Sequence, residues 1–253
     1  MLFRSCIAEA RAKLETSKRP QSTDAELKAA TQSVEAVNEA IETRAALEKK
    51  DKGYAAQADR ARNELGKLAG DLEFARQANA LRHATVDALA AGTAAARSAA
   101  EPGKLRSQKE HYEKALARFR SCESEGTSQL ADNAALASAP ILLEGQPSTP
   151  KEVIARCRER AQESDERYKQ VALLVQFDEG PKRAYEAARK LVTEKKKPQA
   201  ITQFEECISS GLILQNRSPE MKERKFQVAG ASMTLAEVTG QCISQRKALR
   251  AAK

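Results

Sequence analysis

The residues of this chain with the widest chemical range are its five cysteines, and four of them follow a regular pattern. Cys122 and Cys157 are 35 residues apart, and Cys207 and Cys242 repeat that interval. A thiol can be oxidised to a disulfide, can bind a metal ion, or can act as a nucleophile beside a histidine. Each role needs partners at a defined distance, so the elements that carry the cysteines decide between them.

These four cysteines lie in two segments of similar sequence. Residues 115–157 and 200–242 align without gaps and share ten identical positions, which we interpret as an internal duplication. In each segment Ala, then Leu or Ile, then Phe and Cys follow at i, i+1, i+4 and i+7, the spacing of one helical face. Gly126 and Gly211 come next and predict a left-handed residue that ends each helix.

A second helix is predicted in each segment, and it carries the second cysteine on its apolar face. Before it, alternating apolar residues followed by glycine, in PILLEG and KFQVAG, predict a short strand and a turn. A threonine with a glutamate three residues later then predicts a capping box at the start of the helix. The residues concerned are Thr149 with Glu152 and Thr234 with Glu237.

The sequence leaves three interpretations of the cysteines open: disulfides, small buried apolar residues, or a zinc site. No Cys-x-x-Cys spacing occurs, and His83 and His111 are far from all four in sequence, so a zinc site would be atypical. We favour disulfides, because packing alone does not require both partners in both segments. Disulfides favour an oxidising compartment, and Cys6 is left over. The predicted disulfide residues are Cys122, Cys157, Cys207 and Cys242.

Residues 1–101 predict an antiparallel hairpin of two long helices, with the break between them at KKDKG. The region from 102 to 253 holds the duplication, with one copy at about 104–177 and the other at about 181–253. Ala is the commonest residue and Trp is absent, a composition typical of helical repeats. We therefore predict an all-α fold with short strands. The predicted helical stripes are Leu27, Ala30, Val34, Val37 and Ile41, then Tyr54, Ala58, Ala61, Leu65, Leu68, Leu72, Ala75 and Ala78.

The stretch 181–214 resembles one unit of the tetratricopeptide-repeat family, whose units are helical hairpins. TEKKKPQA is similar to the turn between the two helices of such a unit, while Leu212 replaces the usual trailing proline. The resemblance implies a divergent helical-repeat protein that binds other proteins. The matching positions are Ala187, Ala188, Leu191, Ala200, Phe204 and Cys207.

No group of residues suggests catalysis. Both histidines lie in helical stretches without a neighbouring nucleophile, so we expect them at the surface. Glycines occur singly, without a phosphate-binding loop, and aromatic residues are scarce. We therefore predict a protein that is not an enzyme, with no cofactor, no metal and no small-molecule substrate.

The positive net charge of +8 is concentrated near the C-terminal end. Residues 222–253 carry seven basic and two acidic side chains, which could contact an anionic partner or anionic lipids. Nucleic acid is the alternative partner, although aromatic side chains for base stacking are nearly absent. The possible contact residues are Lys195, Lys196, Lys197, Lys222, Arg224 and Lys225.

No apolar run approaches the ~20 residues of a membrane span, and the opening residues do not resemble a signal peptide. We therefore expect either the mature form of an exported chain or a cytoplasmic protein. The favoured hypothesis is a periplasmic interaction protein that holds another protein through helical-repeat surfaces, with peripheral association with the envelope possible. The alternative is a cytoplasmic basic scaffold that binds nucleic acid through its C-terminal segment.

Overall fold

The computed structural model describes residues 2–20, 22–47 and 52–251. It is all-α with two short antiparallel strand pairs, which confirms the predicted fold class. Each helix combines apolar residues at three- and four-residue spacing with a polar opposite face, so its apolar stripe is buried against a neighbour.

The described residues divide into two compact units. The first comprises Met1–Ala94 with Ala115–Gln162, and the second comprises Ala95–Lys114 with Glu163–Lys253. This division reflects contact in space, whereas the division at residue 101 follows sequence similarity and stays a prediction.

The first unit begins with helices that pack pairwise around an apolar core. Ala30, Val37, Ile41 and Leu68 are buried there, as the stripes predict. Helix α1 was not predicted, and it covers the other two helices. Residues 49–51 of the expected break and the side chain of Tyr54 lie outside the described part of the chain. The elements are α1 (Leu2–Ser17), α2 (Asp24–Leu47), α3 (Lys52–Arg82), a π-helical turn (His83–Asp87) and the start of α4 (Ala88–Ala100), then most of α5 (Leu105–Asp132), a 3₁₀ turn (Ala134–Ser138), β1 (Ile141–Leu143), β2 (Gln146–Ser148) and the start of α6 (Pro150–Phe177).

The core of the second unit contains the second cysteine pair. Phe177 stacks on Phe226 with ring centroids 3.9 Å apart, and Phe204 and Tyr185 lie in the same cluster. Glu186 accepts a hydrogen bond of 3.1 Å from the backbone of Ala229, which ties a β-turn to a helix. The elements after α6 are a π-helical turn (Asp178–Lys182), α7 (Arg183–Thr193), α8 (Lys197–Arg217), a 3₁₀ turn (Pro219–Met221), β3 (Lys225–Val228), β4 (Ala231–Thr234) and α9 (Leu235–Ala251).

The two strand pairs are related position by position at an interval of 85 residues. Ile141 pairs with Ser148 in the first, and Phe226 pairs with Met233 in the second. Both connecting turns hold two successive residues with positive φ, the conformation of a tight two-residue hairpin turn. Glycine occupies the second of these positions in each turn, where a left-handed backbone costs it little. The predicted strands therefore occur, each with a partner strand that was not predicted.

Both predicted capping boxes are confirmed. The Thr149 amide donates to Glu152 at 2.8 Å, and the Glu152 amide donates back to the Thr149 hydroxyl at 3.3 Å. The corresponding distances for Thr234 and Glu237 are 2.7 and 3.1 Å. The hydrogen bonds lower the pKa of Glu152, first through the Thr149 backbone. These contacts satisfy amide groups that the first helical turn leaves unpaired, so they fix where α6 and α9 begin.

The prediction that Gly126 and Gly211 end their helices is wrong. Both are buried within helices that continue past them, and neither has a positive φ. A Cβ on Gly126 would lie 2.8 Å from Ile154 Cγ1. A Cβ on Gly211 would overlap the Thr239 hydroxyl, which is 85 residues after Ile154. These glycines are needed because two helices cross closely there.

Candidate functional site

The structure pairs the four predicted cysteines as two disulfides. Cys122 and Cys157 have Cα atoms 6.1 Å apart, and Cys207 and Cys242 have Cα atoms 6.3 Å apart. Both distances lie within the range for a disulfide, and all four cysteines are fully buried. Each bond joins two helices that also cross at one of the close-contact glycines. Cys6 is exposed and unpaired among the described residues.

The first group of predicted basic residues lies at the turn between α7 and α8. Lys195 has a φ of 58°, which allows the tight connection. Lys196 lies 2.8 Å from the Glu194 carboxylate, and this hydrogen bond lowers the pKa of Glu194. Lys197 begins α8 and is half-buried. Part of the positive charge here is therefore neutralised within the turn.

The second basic group follows the other end of α8. Lys222 and Lys225 are exposed, and the Arg224 guanidinium lies 6.0 Å from the centre of the Phe226 ring. Helix α8 has 21 residues, so its two ends are about 30 Å apart at 1.5 Å per residue. The structure therefore does not bring the two basic groups together into one patch.

A groove lies between α7 and α8, beside the first basic group. It encloses about 480 Å³, a volume within the range of ligand and side-chain pockets. Small and apolar side chains form part of its lining, and a lysine, a glutamate and three uncharged polar groups form the rest. This arrangement can hold a peptide through side-chain contact and hydrogen bonds, and none of its lining residues is a nucleophile beside a base. The lining residues are Ala187, Lys190, Leu191, Glu194, Gln199, Thr202 and Gln203.

Sequence analysis missed a polar cluster around His83. Its Nε2 lies 3.1 Å from Asp24 Oδ1, and its Nδ1 contacts Asp87. Asn79 donates to the same Asp24 oxygen at 2.7 Å. The hydrogen bonds to Asp24 and then Asp87 raise the pKa of His83, and the hydrogen bond from His83 lowers the pKa of Asp24. The four-residue spacing of His83 and Asp87 was visible in the sequence, but the contact with Asp24 depends on how α2 packs on α3.

His111 is half-buried in α5, so it is not fully at the surface. The described residues include no cluster of three or more His, Cys, Asp and Glu side chains suited to a metal ion. None of the helices in the described ranges has the length and apolar composition needed to cross a bilayer. Comparisons with family models, with curated proteins and with solved structures give no match.

Proposed function

We propose that the protein is a non-enzymatic interaction protein of the bacterial cell envelope, and that the α7–α8 groove holds a partner protein. The observation that carries this proposal is the pair of buried disulfides at positions 85 residues apart. Disulfides persist where thiols are not kept reduced, as in the periplasm. Two bonds in the same local setting favour a structural role over an accidental contact.

The correspondence between the two regions supports an internal duplication. Strand register, turn conformation, capping boxes, disulfides and close-contact glycines all recur at the same interval. Chance resemblance of sequence would not reproduce this set of local structures. Repeated helical units present extended surfaces for partners, which supports an interaction function.

We further propose that α7 and α8 are a divergent relative of a tetratricopeptide-repeat unit. The two helices pack as a pair, and the matching Ala188, Ala200, Phe204 and Cys207 are buried. The groove lies on this pair. It combines exposed amide, hydroxyl and charged groups with an apolar floor, a mixture that suits a polypeptide partner.

The alternative function, a cytoplasmic scaffold on nucleic acid, has less support. It depends on the basic residues acting together, and their two groups lie at opposite ends of α8. A salt titration separates the alternatives, because phosphate contacts give a steep fall of affinity with salt concentration. Binding of DNA or RNA with such a slope would favour this alternative over the envelope function.

Two experiments test the proposed function. Cells are quenched in acid and the unreduced protein is alkylated, so that mass spectrometry reports the thiols as they were in the cell. We expect linked peptides for Cys122 with Cys157 and for Cys207 with Cys242, and free thiols at all four would contradict the envelope location.

The second experiment places a photo-crosslinking amino acid at Thr202, which is exposed in the groove. The matched control is Ser209, which is exposed on the same helix two turns further along. We expect one adduct of defined mass at Thr202 and none at Ser209. Equal labelling at both positions, or none at either, would contradict binding in the groove.

A further inference from the structure

The residues that directly follow the bonded cysteines differ between the two regions. After Cys122 and Cys157 come Glu123 and Arg158, whose side chains form an ion pair of 2.6 Å across the helix crossing. At the corresponding positions, 85 residues on, the chain has Ile208 and Ile243. Ile243 is 42% exposed. A charged surface pair has thus been replaced by an apolar one beside the same disulfide.

The change extends along the groove between the two helices. In the first unit this groove encloses about 220 Å³. In the second unit Leu212 is 45% exposed, and the space where Gly240 would carry a Cβ is open. Most of the corresponding positions are therefore less polar than in the first unit. The first-unit lining is Thr127, Leu130, Lys151, Ile154, Ala155 and Arg158. The residues 85 positions later are Leu212, Gln215, Ala236, Thr239, Gly240 and Ile243.

The charges around this patch have one sign at one end. Arg246 and Lys247 follow Ile243 by one helical turn, and neither has an ion-pair partner among the described residues. The next turn holds Arg250, whose charge is paired with Glu205. At the opposite end the corresponding groove positions are uncharged. The patch therefore combines apolar side chains with a surplus of positive charge on the α9 side.

We propose that the α8–α9 patch, formed by Ile208, Leu212, Gly240 and Ile243, binds an acidic amphipathic helix of a partner protein. Apolar side chains at i, i+3 or i+4 and i+7 lie on the patch, and carboxylates at one end face Arg246 and Lys247. The inference rests on the proposed interaction function and adds to it the site and chemistry of a partner.

The size of the patch favours a single helix over a second copy of the chain. Three partly exposed aliphatic side chains amount to roughly a few hundred Å², against about 800 Å² per partner in a standard stable interface. A docked helix needs only a few apolar anchors, and the positive charge selects acidic neighbours for them.

The first unit supplies the test variant. Ile208→Glu with Ile243→Arg introduces the pair that the first unit holds at the corresponding positions, so the fold should tolerate it. The probes are four labelled amphipathic peptides with Leu, Ile, Met or Phe at i, i+3 and i+7 and glutamates in the last turn. Fluorescence anisotropy should show binding of at least one peptide to the wild-type protein. We expect affinity about 100-fold lower in the double variant and about tenfold lower with lysines in place of the glutamates.

Leu212→Thr, which inserts the first-unit residue at an exposed position, should weaken the same peptide if the double variant fails to fold. Failure of all four peptides to bind, or equal affinity for the variants, would overturn the proposal. So would patch-dependent self-association in sedimentation, or patch-dependent pelleting with phosphatidylglycerol vesicles, in the absence of peptide binding. Crosslinking at Thr202 separates the two proposals. It persists if only the patch inference fails, and it disappears with peptide affinity unchanged if the groove carries no partner.

Discussion

Removing one cysteine pair at a time measures what each disulfide contributes to stability. The two variants are Cys122→Ala with Cys157→Ala, and Cys207→Ala with Cys242→Ala. Both bonds span a sequence separation of 35 residues, for which the chain-entropy relation gives about 4 kcal/mol. The four positions are equally buried, so the loss of packing should also be alike. We therefore expect similar losses in the free energy of unfolding for the two variants.

Urea unfolding followed by circular dichroism measures these losses. With a slope of about 2 kcal/mol per molar for a unit of this size, the midpoint should fall by roughly 2 M. Adding a reducing agent to the wild-type protein should lower its stability in the same way, and adding it to a double variant should affect only the remaining bond. A shift below about 0.5 M in either variant would refute the reasoning. The cysteines would then act chiefly as small apolar residues.

The remaining predictions concern the cap, the helix crossing and the histidine cluster. Thr234→Ala should lower the free energy of unfolding by about 1 kcal/mol, because a capping-box partner is lost; urea unfolding measures it. Gly211→Ala should cost about 1–3 kcal/mol through overlap with the Thr239 hydroxyl, and adding Thr239→Ala should recover most of the loss. Because the folded-state pKa of His83 is raised above 6.5 by Asp24 and a second carboxylate, its contribution to stability is complete below about pH 6.5 and is lost as pH rises through the folded pKa. Thermal unfolding should therefore show a fall in stability above about pH 6.5 that His83→Gln reduces; an identical pH profile in that variant would contradict the assignment.

Local signals account for most of what the sequence predicted correctly. Helical stripes, capping boxes and turn glycines each depend on residues within a few positions, so a single sequence reveals them. The pairing of Cys122 with Cys157 and of Cys207 with Cys242 was predictable for a different reason. The repeated interval showed that the same two helices must meet in both regions.

The missed features depend on contacts that are distant in sequence. Gly126 and Gly211 were assigned to helix ends because glycine favours both left-handed caps and close crossings, and only the partner helix distinguishes these uses. Helix α1 has a less regular apolar pattern than α2 and α3. The contact between His83 and Asp24 joins two helices through a packing geometry that no local pattern contains.

The two regions serve as an internal control for one another, and this allows surface chemistry to be separated from structural need. Buried positions 85 residues apart keep their type, as in Phe119 and Phe204. The same frame of disulfide, cap and hairpin therefore needs no apolar surface after its cysteines, because Glu123 and Arg158 satisfy it in the first region. Ile243 exposes apolar area to water at the corresponding site, which costs free energy in the isolated chain. Since folding does not require that cost, a partner that covers the patch is its physical explanation.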